Sequence, residues 1–120
     1  MATEQKWLES NIYASIWQAP LFAGDLRTGF SAIVEAVSSQ EDLVHVLFDV
    51  QGGGVIPMNA PYLALHSGFM KLDNLGHVAV VGMDRRAQVL ADIVVKVVRK
   101  EIIFFTTYEE ALAYLQIKAK

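Results

Sequence analysis

Leu43-Val44-His45-Val46-Leu47-Phe48-Asp49-Val50, followed after Gln51 by Gly52-Gly53-Gly54, decides how the rest of the chain reads. The run is short, apolar and rich in Val, Leu and Phe, and three glycines close it. These features predict a central strand buried on both faces, whose C-terminal end opens into a loop. In open α/β sheets ligands meet the protein just beyond such strand ends, so a site is sought first at the glycine loop.

Towards the N-terminus, Ile12, Ala14 and Ile16 alternate with Tyr13, Ser15 and Trp17, a strand pattern. Ser10-Asn11 predicts a turn back to a short strand around Lys6–Leu8, making a hairpin. Pro20 ends this section, and Gly24-Asp25 opens a helix, with Asp25 at the positive end of its dipole. Leu26, Phe30, Ile33, Val34 and Val37 form the inner face of that helix. Gly29 within it points either to close packing or to tolerated slack. Ser38–Asp42 is the polar turn into the central strand.

Towards the C-terminus, Asn59 is placed to cap a second helix with Pro61 in its first turn. Tyr62, Leu65, Phe69 and Leu72 share one face, and Asp73–Gly76 forms a turn before the strand His77–Gly82. A third helix is expected from near Asp84, with Leu90, Ile93, Val94 and Val97 inward. Its β-branched end, Ile93–Val98, also reads as a strand. The 3–4 spacing of its apolar residues and the length a parallel crossover requires favour the helix. Ile102–Thr106 is the last strand. Thr107-Tyr108-Glu109-Glu110 is a capping box opening a final helix, with Ala111, Leu112 and Leu115 inward. The order is ββαβαβαβα: an α/β domain with a mostly parallel sheet of about five strands, an N-terminal edge hairpin and about four helices.

The chain has 120 residues, so one domain over residues 1–120 is expected. Hydrophobic residues make up 53%, enough to exclude disorder and to predict buried surface beyond one small core. A homodimer is the simplest way to cover it, with Tyr13 and Trp17 as candidates for the shared surface. The net charge is −3, and the basic residues come singly apart from Arg85-Arg86 and Arg99-Lys100, which argues against a nucleic-acid partner. Without cysteine there is no disulfide, thiol chemistry or thiolate metal site. The N-terminal residues lack the apolar core of a signal peptide, and no apolar run approaches the roughly 18 residues of a membrane span. A cytoplasmic protein is the expectation.

Chemistry is sparse. Gly52, Gly53 and Gly54 could bring backbone N–H groups to a phosphate, or could serve only as a flexible turn. The loop lacks Gly-Lys-Ser/Thr, and Pro57 stands where a dinucleotide fingerprint would continue. Asp49 has no evident acid–base partner. His45, His66 and His77 have no metal-ligand spacing, so no metal and no cofactor is expected. His66-Ser67 places a base beside a nucleophile, but adjacent helical side chains point apart, and the Gly-x-Ser-x-Gly elbow is absent. Arg85 and Arg86, at the start of the third helix, could hold an anion or simply form a solvated first turn beside Asp84. No constellation of nucleophile, base and charge stabiliser can be assembled, so a non-enzymatic role is expected.

The chain resembles the SpoIIAA-like group of the STAS superfamily (sulfate transporter and anti-sigma factor antagonist domains). The resemblance runs from Ile12 to Leu115. It rests on the helix beginning near Gly24-Asp25, the strands Val46–Val50 and Val78–Gly82, and the closing Phe104-Phe105 followed by Glu110–Leu115. It implies a regulatory or protein-interaction module without known enzymatic activity. Anti-sigma antagonists carry a phosphorylatable serine at the start of the helix after the central strand. Residues 51–59 here contain no Ser or Thr, so that phosphoswitch does not carry over; the nearest hydroxyl in the second helix is Ser67. Relatives of the group also resemble the CRAL-TRIO lipid-transfer domain, which implies an alternative role as carrier of a small apolar or anionic ligand. For such a ligand the expected site combines Gly52–Gly54, the flexible walls Met58 and Met83, and the charges of Arg85 and Arg86.

Overall fold

The N-terminal hairpin forms as expected: β1 (Thr3–Glu9) turns at Ser10-Asn11 and pairs antiparallel with β2 (Ile12–Gln18). The computed structural model describes residues 3–98 and 101–120, apart from the side chains of Val94, Val97 and Val98. After β2 come α1 (Ala23–Ser38), β3 (Val44–Gly52), α2 (Ala60–Ser67) and a short 3-10 turn (Phe69–Lys71). β4 (Leu75–Val81), α3 (Arg85–Val98), β5 (Ile102–Phe105) and α4 (Tyr108–Lys118) complete the chain. The β-branched stretch 93–98 is therefore helical. The expected inward positions Val94 and Val97 lie outside the described side chains.

The strands lie in the order β1-β2-β3-β4-β5, with every pair after the hairpin parallel. Each crossover steps one strand in the same direction. Right-handed crossovers then deliver all their helices to one face of the sheet. Accordingly Leu26, Phe30 and Ile33 of α1, Leu63 of α2 and Ala87 of α3 share one core with Val44, Val46, Phe48 and Val50 of β3. The opposite face is covered by α4, whose Ala111 and Leu115 pack on Ile12, Leu47, Ala79 and Val81. β3 is thus buried on both sides, which is why its sequence is almost continuously apolar.

Two helical faces differ from expectation. Tyr62, placed on the inner face of the second helix, is exposed; Leu63 and Ala64 point inward instead. Gly68 adopts φ +81° and stops α2 at Ser67, so Phe69 and Met70 reach the core from the following turn. In α3, Ile93 is 55% exposed and Ala87 is buried. Asn59 occupies the N-cap position of α2, but its side chain makes no capping hydrogen bond. The Thr107 cap does form: its Oγ1 accepts from the Glu110 N–H at 3.2 Å and donates to Glu110 Oε1 at 2.9 Å. Gly29 marks close packing, since a Cβ there would lie 3.2 Å from Gln5 Nε2.

Candidate functional site

An apolar cavity of about 80 Å³ lies between the sheet and the α2–α3 pair. Its floor is built by alternation: residues 48 and 50 of β3, 80 of β4, 102 of β5 and 17 of β2 send their side chains to the same face. Phe48 sits edge-on to Trp17 at 5.8 Å and to Phe69 at 5.7 Å, while Phe30 stacks on Phe69 at 5.5 Å. The roof is short. Ala60 and Ala64, one turn apart on α2, and Ala87 and Ala91, one turn apart on α3, leave space that larger side chains would fill. Every lining residue among those described is apolar. The Trp17 indole N–H is donated to Ser15 Oγ at 2.9 Å, so it offers nothing to an occupant.

Of the residues expected at a ligand site, Met83 lines the cavity. Gly53 lies beside it: a Cβ would stand 3.1 Å from Leu21 and 3.5 Å from Ile56, itself a lining residue. The Gly53 N–H is donated to the Val50 carbonyl, and the Gly52 carbonyl accepts from Ala19 N–H at 2.7 Å. The glycines thus serve a tight turn packed on residues 19–21, with Gly54 at φ +64°. Met58 is 71% exposed, and Arg85 and Arg86 are exposed, outside the lining. Asp84 occupies the positive end of α3, where its Oδ1 accepts from the Ala87 N–H at 2.8 Å. That carboxylate weakens the case for an anion beside Arg85 and Arg86.

Tyr13 and Trp17, expected on a shared surface, are only 6% and 5% exposed and belong to the chain's own core. The surface between subunits cannot be built on them. The alternation in β2 holds, but both of its faces are covered. Exposed apolar side chains lie elsewhere: Phe22 before α1, Val55 and Met58 in the loop after β3, and Tyr62 on α2.

The histidines are divided between surfaces. His66 is exposed against Tyr62, with ring centroids 4.1 Å apart. His45 and His77 stack on each other on the α4 face, away from the cavity. Asp49 also faces α4; its Oδ1 accepts from Gln51 N and Nε2, both at 3.2 Å. Burial first, and then Asp49 and Glu109, push the Tyr108 phenol up from its ordinary range. Among the described residues no three His, Asp or Glu side chains converge as metal ligands, and no helix is long and apolar enough to cross a membrane.

The solved structure of an uncharacterised protein of the DUF3478 family from Shewanella loihica PV-4, described as having a SpoIIAA-like fold, superposes on this chain with a TM-score of 0.67. The match covers 95% of this chain and 92% of that one at 16% sequence identity. The chain therefore has a SpoIIAA-like fold, as its resemblance to that group implied. No protein-family model and no curated protein matches it.

Proposed function

We propose that this protein is a binding module that takes a small apolar group into the cavity between the sheet and α2–α3. The observation that carries this reading is an opening whose described lining is apolar throughout, beside the C-terminal ends of the parallel strands. Burying a polar group there would cost its hydration without a compensating hydrogen bond. At about 80 Å³ the space is roughly half of the ~150 Å³ that holds a benzene ring in an apolar protein cavity. The end of an alkyl chain suits it better than a ring, and the flexible Met70 and Met83 can adjust to chain length.

The test uses n-alcohols of increasing length, followed by Trp17 fluorescence in a Trp7→Phe background. Affinity should rise with each added methylene until the cavity is full, then level off. Ala64→Leu should abolish the response while circular dichroism stays unchanged. If Ala64→Leu and the parent protein respond alike, the cavity is packing space only.

A second reading, a protein-interaction module acting as a homodimer, draws on the exposed Phe22, Val55, Met58 and Tyr62. Sedimentation velocity should show a dimer at tens of micromolar and a monomer for Val55→Asp/Met58→Asp. A monomeric parent protein removes this reading without touching the first.

A further inference from the structure

At His45 the sheet falls out of step. β3 and β4 pair Val44 with Leu75 and Val46 with Val78, so a two-residue step on β3 meets a three-residue step on β4. Gly76 and His77 form the bulge, which is why Leu75 and Val78 both reach the core under α1–α3 although they are three positions apart. A bulge disrupts the ladder and leaves backbone groups to be satisfied in another way. Here the His77 N–H is donated to His45 Nδ1 at 2.8 Å. Gly76 makes room for the ring, since a Cβ there would lie 2.5 Å from the same Nδ1. The two imidazoles stack at 5.3 Å and 21°. His77 Nδ1 lies 3.4 Å from Tyr114 Oη on α4, with the two rings edge to face. His45 is 3% exposed, so solvent has little access to take its place.

We infer that His45 is a pH-sensitive latch: neutral, it closes the β4 bulge and seats His77 under Tyr114; protonated, it releases both and loosens the C-terminal half of α4. An imidazolium carries a proton on each nitrogen, so Nδ1 would turn a donor towards the His77 N–H. The new charge would also be buried against a second imidazole. Burial first, and His77 second, hold His45 below the usual histidine range.

The groups around the latch come from three sides. β4 contributes His77, and α4 contributes Tyr114 with Lys118, whose Nζ stands 5.7 Å over the Tyr114 ring. The end of β1 contributes Glu9, exposed and already accepting from Gln116 Nε2 of α4 at 2.6 Å. On β2 the apolar Ile12 pairs with His45. A histidine whose folded value lies below its unfolded value of about 6.5 contributes stability that is fully present above that pH. The contribution is lost as pH falls from there through the folded value.

Amide hydrogen exchange at pH 7.5 and pH 5, normalised to intrinsic rates, tests the latch at His77, Tyr114 and Leu115. Protection in the wild type should fall, by up to about tenfold per pH unit for one titrating group. His45→Asn places an amide oxygen near the position of Nδ1 and does not titrate, so its protection should be the same at both values. His77→Asn keeps the backbone N–H and should keep the pH dependence at residue 77, while removing the ring that couples it to Tyr114. Nitrogen chemical shifts at pH 7.5 should show His45 Nδ1 unprotonated, a reading that needs no variant. The inference is overturned by a protonated Nδ1, by equal pH dependence in wild type and His45→Asn, or by its loss at residue 77 in His77→Asn. Should His45→Asn fail to fold, unchanged wild-type protection between pH 7.5 and pH 5 overturns it equally.

Discussion

His45 and Gly76 show how one imidazole can settle the geometry of two strands. Ordinary ladder pairing would leave no role for a side-chain acceptor inside a sheet. The bulge creates one, and the absence of a side chain at position 76 makes room for it. Gly76→Ala would drive a methyl group into the ring and force either His45 or the strand to move. Overpacking of this kind costs about 1–3 kcal/mol, which urea denaturation at pH 7.5 would register as a lower midpoint. The pairing of His45 with His77 also carries the acid sensitivity of the latch. Stability should decline as pH falls below about 6.5 in the wild type, more steeply than in His45→Asn.

Among the elements, α4 and α2 start in contrasting ways. Thr107 satisfies an orphan N–H at the start of α4 with its own hydroxyl, whereas Asn59 makes no such bond at α2. Thr107→Ala should therefore cost about 1 kcal/mol, and Asn59→Ala much less, a contrast visible in thermal melts of the two variants. The misplacement of Tyr62 has an element-level cause as well. Reading the periodicity from Tyr62 to Leu72 assumes one continuous helix, but Gly68 in the left-handed region breaks it after Ser67. Residues before and after the break then belong to separate faces. In α3, Leu90 lines the cavity as expected, whereas Ile93 is exposed and Ala87 is buried.

At the level of the whole molecule, three helices on one face and one on the other leave the floor of the larger core under a roof of alanines. Filling that space should stabilise the fold, whereas emptying the floor should not be tolerated. Ala64→Leu is expected to raise stability by about 0.5–2 kcal/mol as it blocks alkyl-chain binding. Phe48→Ala, which removes a ring touching Trp17, Phe30 and Phe69, should cost about 3–5 kcal/mol. Both are measurable by chemical denaturation. A ligand-binding protein that is more stable with its site plugged would show that the cavity is kept at the expense of packing.

Much of the architecture is legible in the chain itself. The order of elements, the central strand, the hairpin and the Thr107 cap follow from local patterns, because strand and helix periods and capping act over a few neighbouring residues. The SpoIIAA-like fold is legible in the same patterns. Which face each aromatic residue meets was not. Tyr13 and Trp17 look like surface candidates on one strand, and only the packing of helices on their face of the sheet buries them. The cavity left a faint mark in Ala60/Ala64 and Ala87/Ala91, pairs spaced one helical turn apart. Two such pairs enclose a space only if their helices lie side by side over Phe48, which is a matter of long-range packing. The partnership of His45 with His77 and Tyr114 is of the same kind. It depends on a one-residue bulge that brings together positions 32 residues apart in sequence, and pairing register is a property of the assembled sheet.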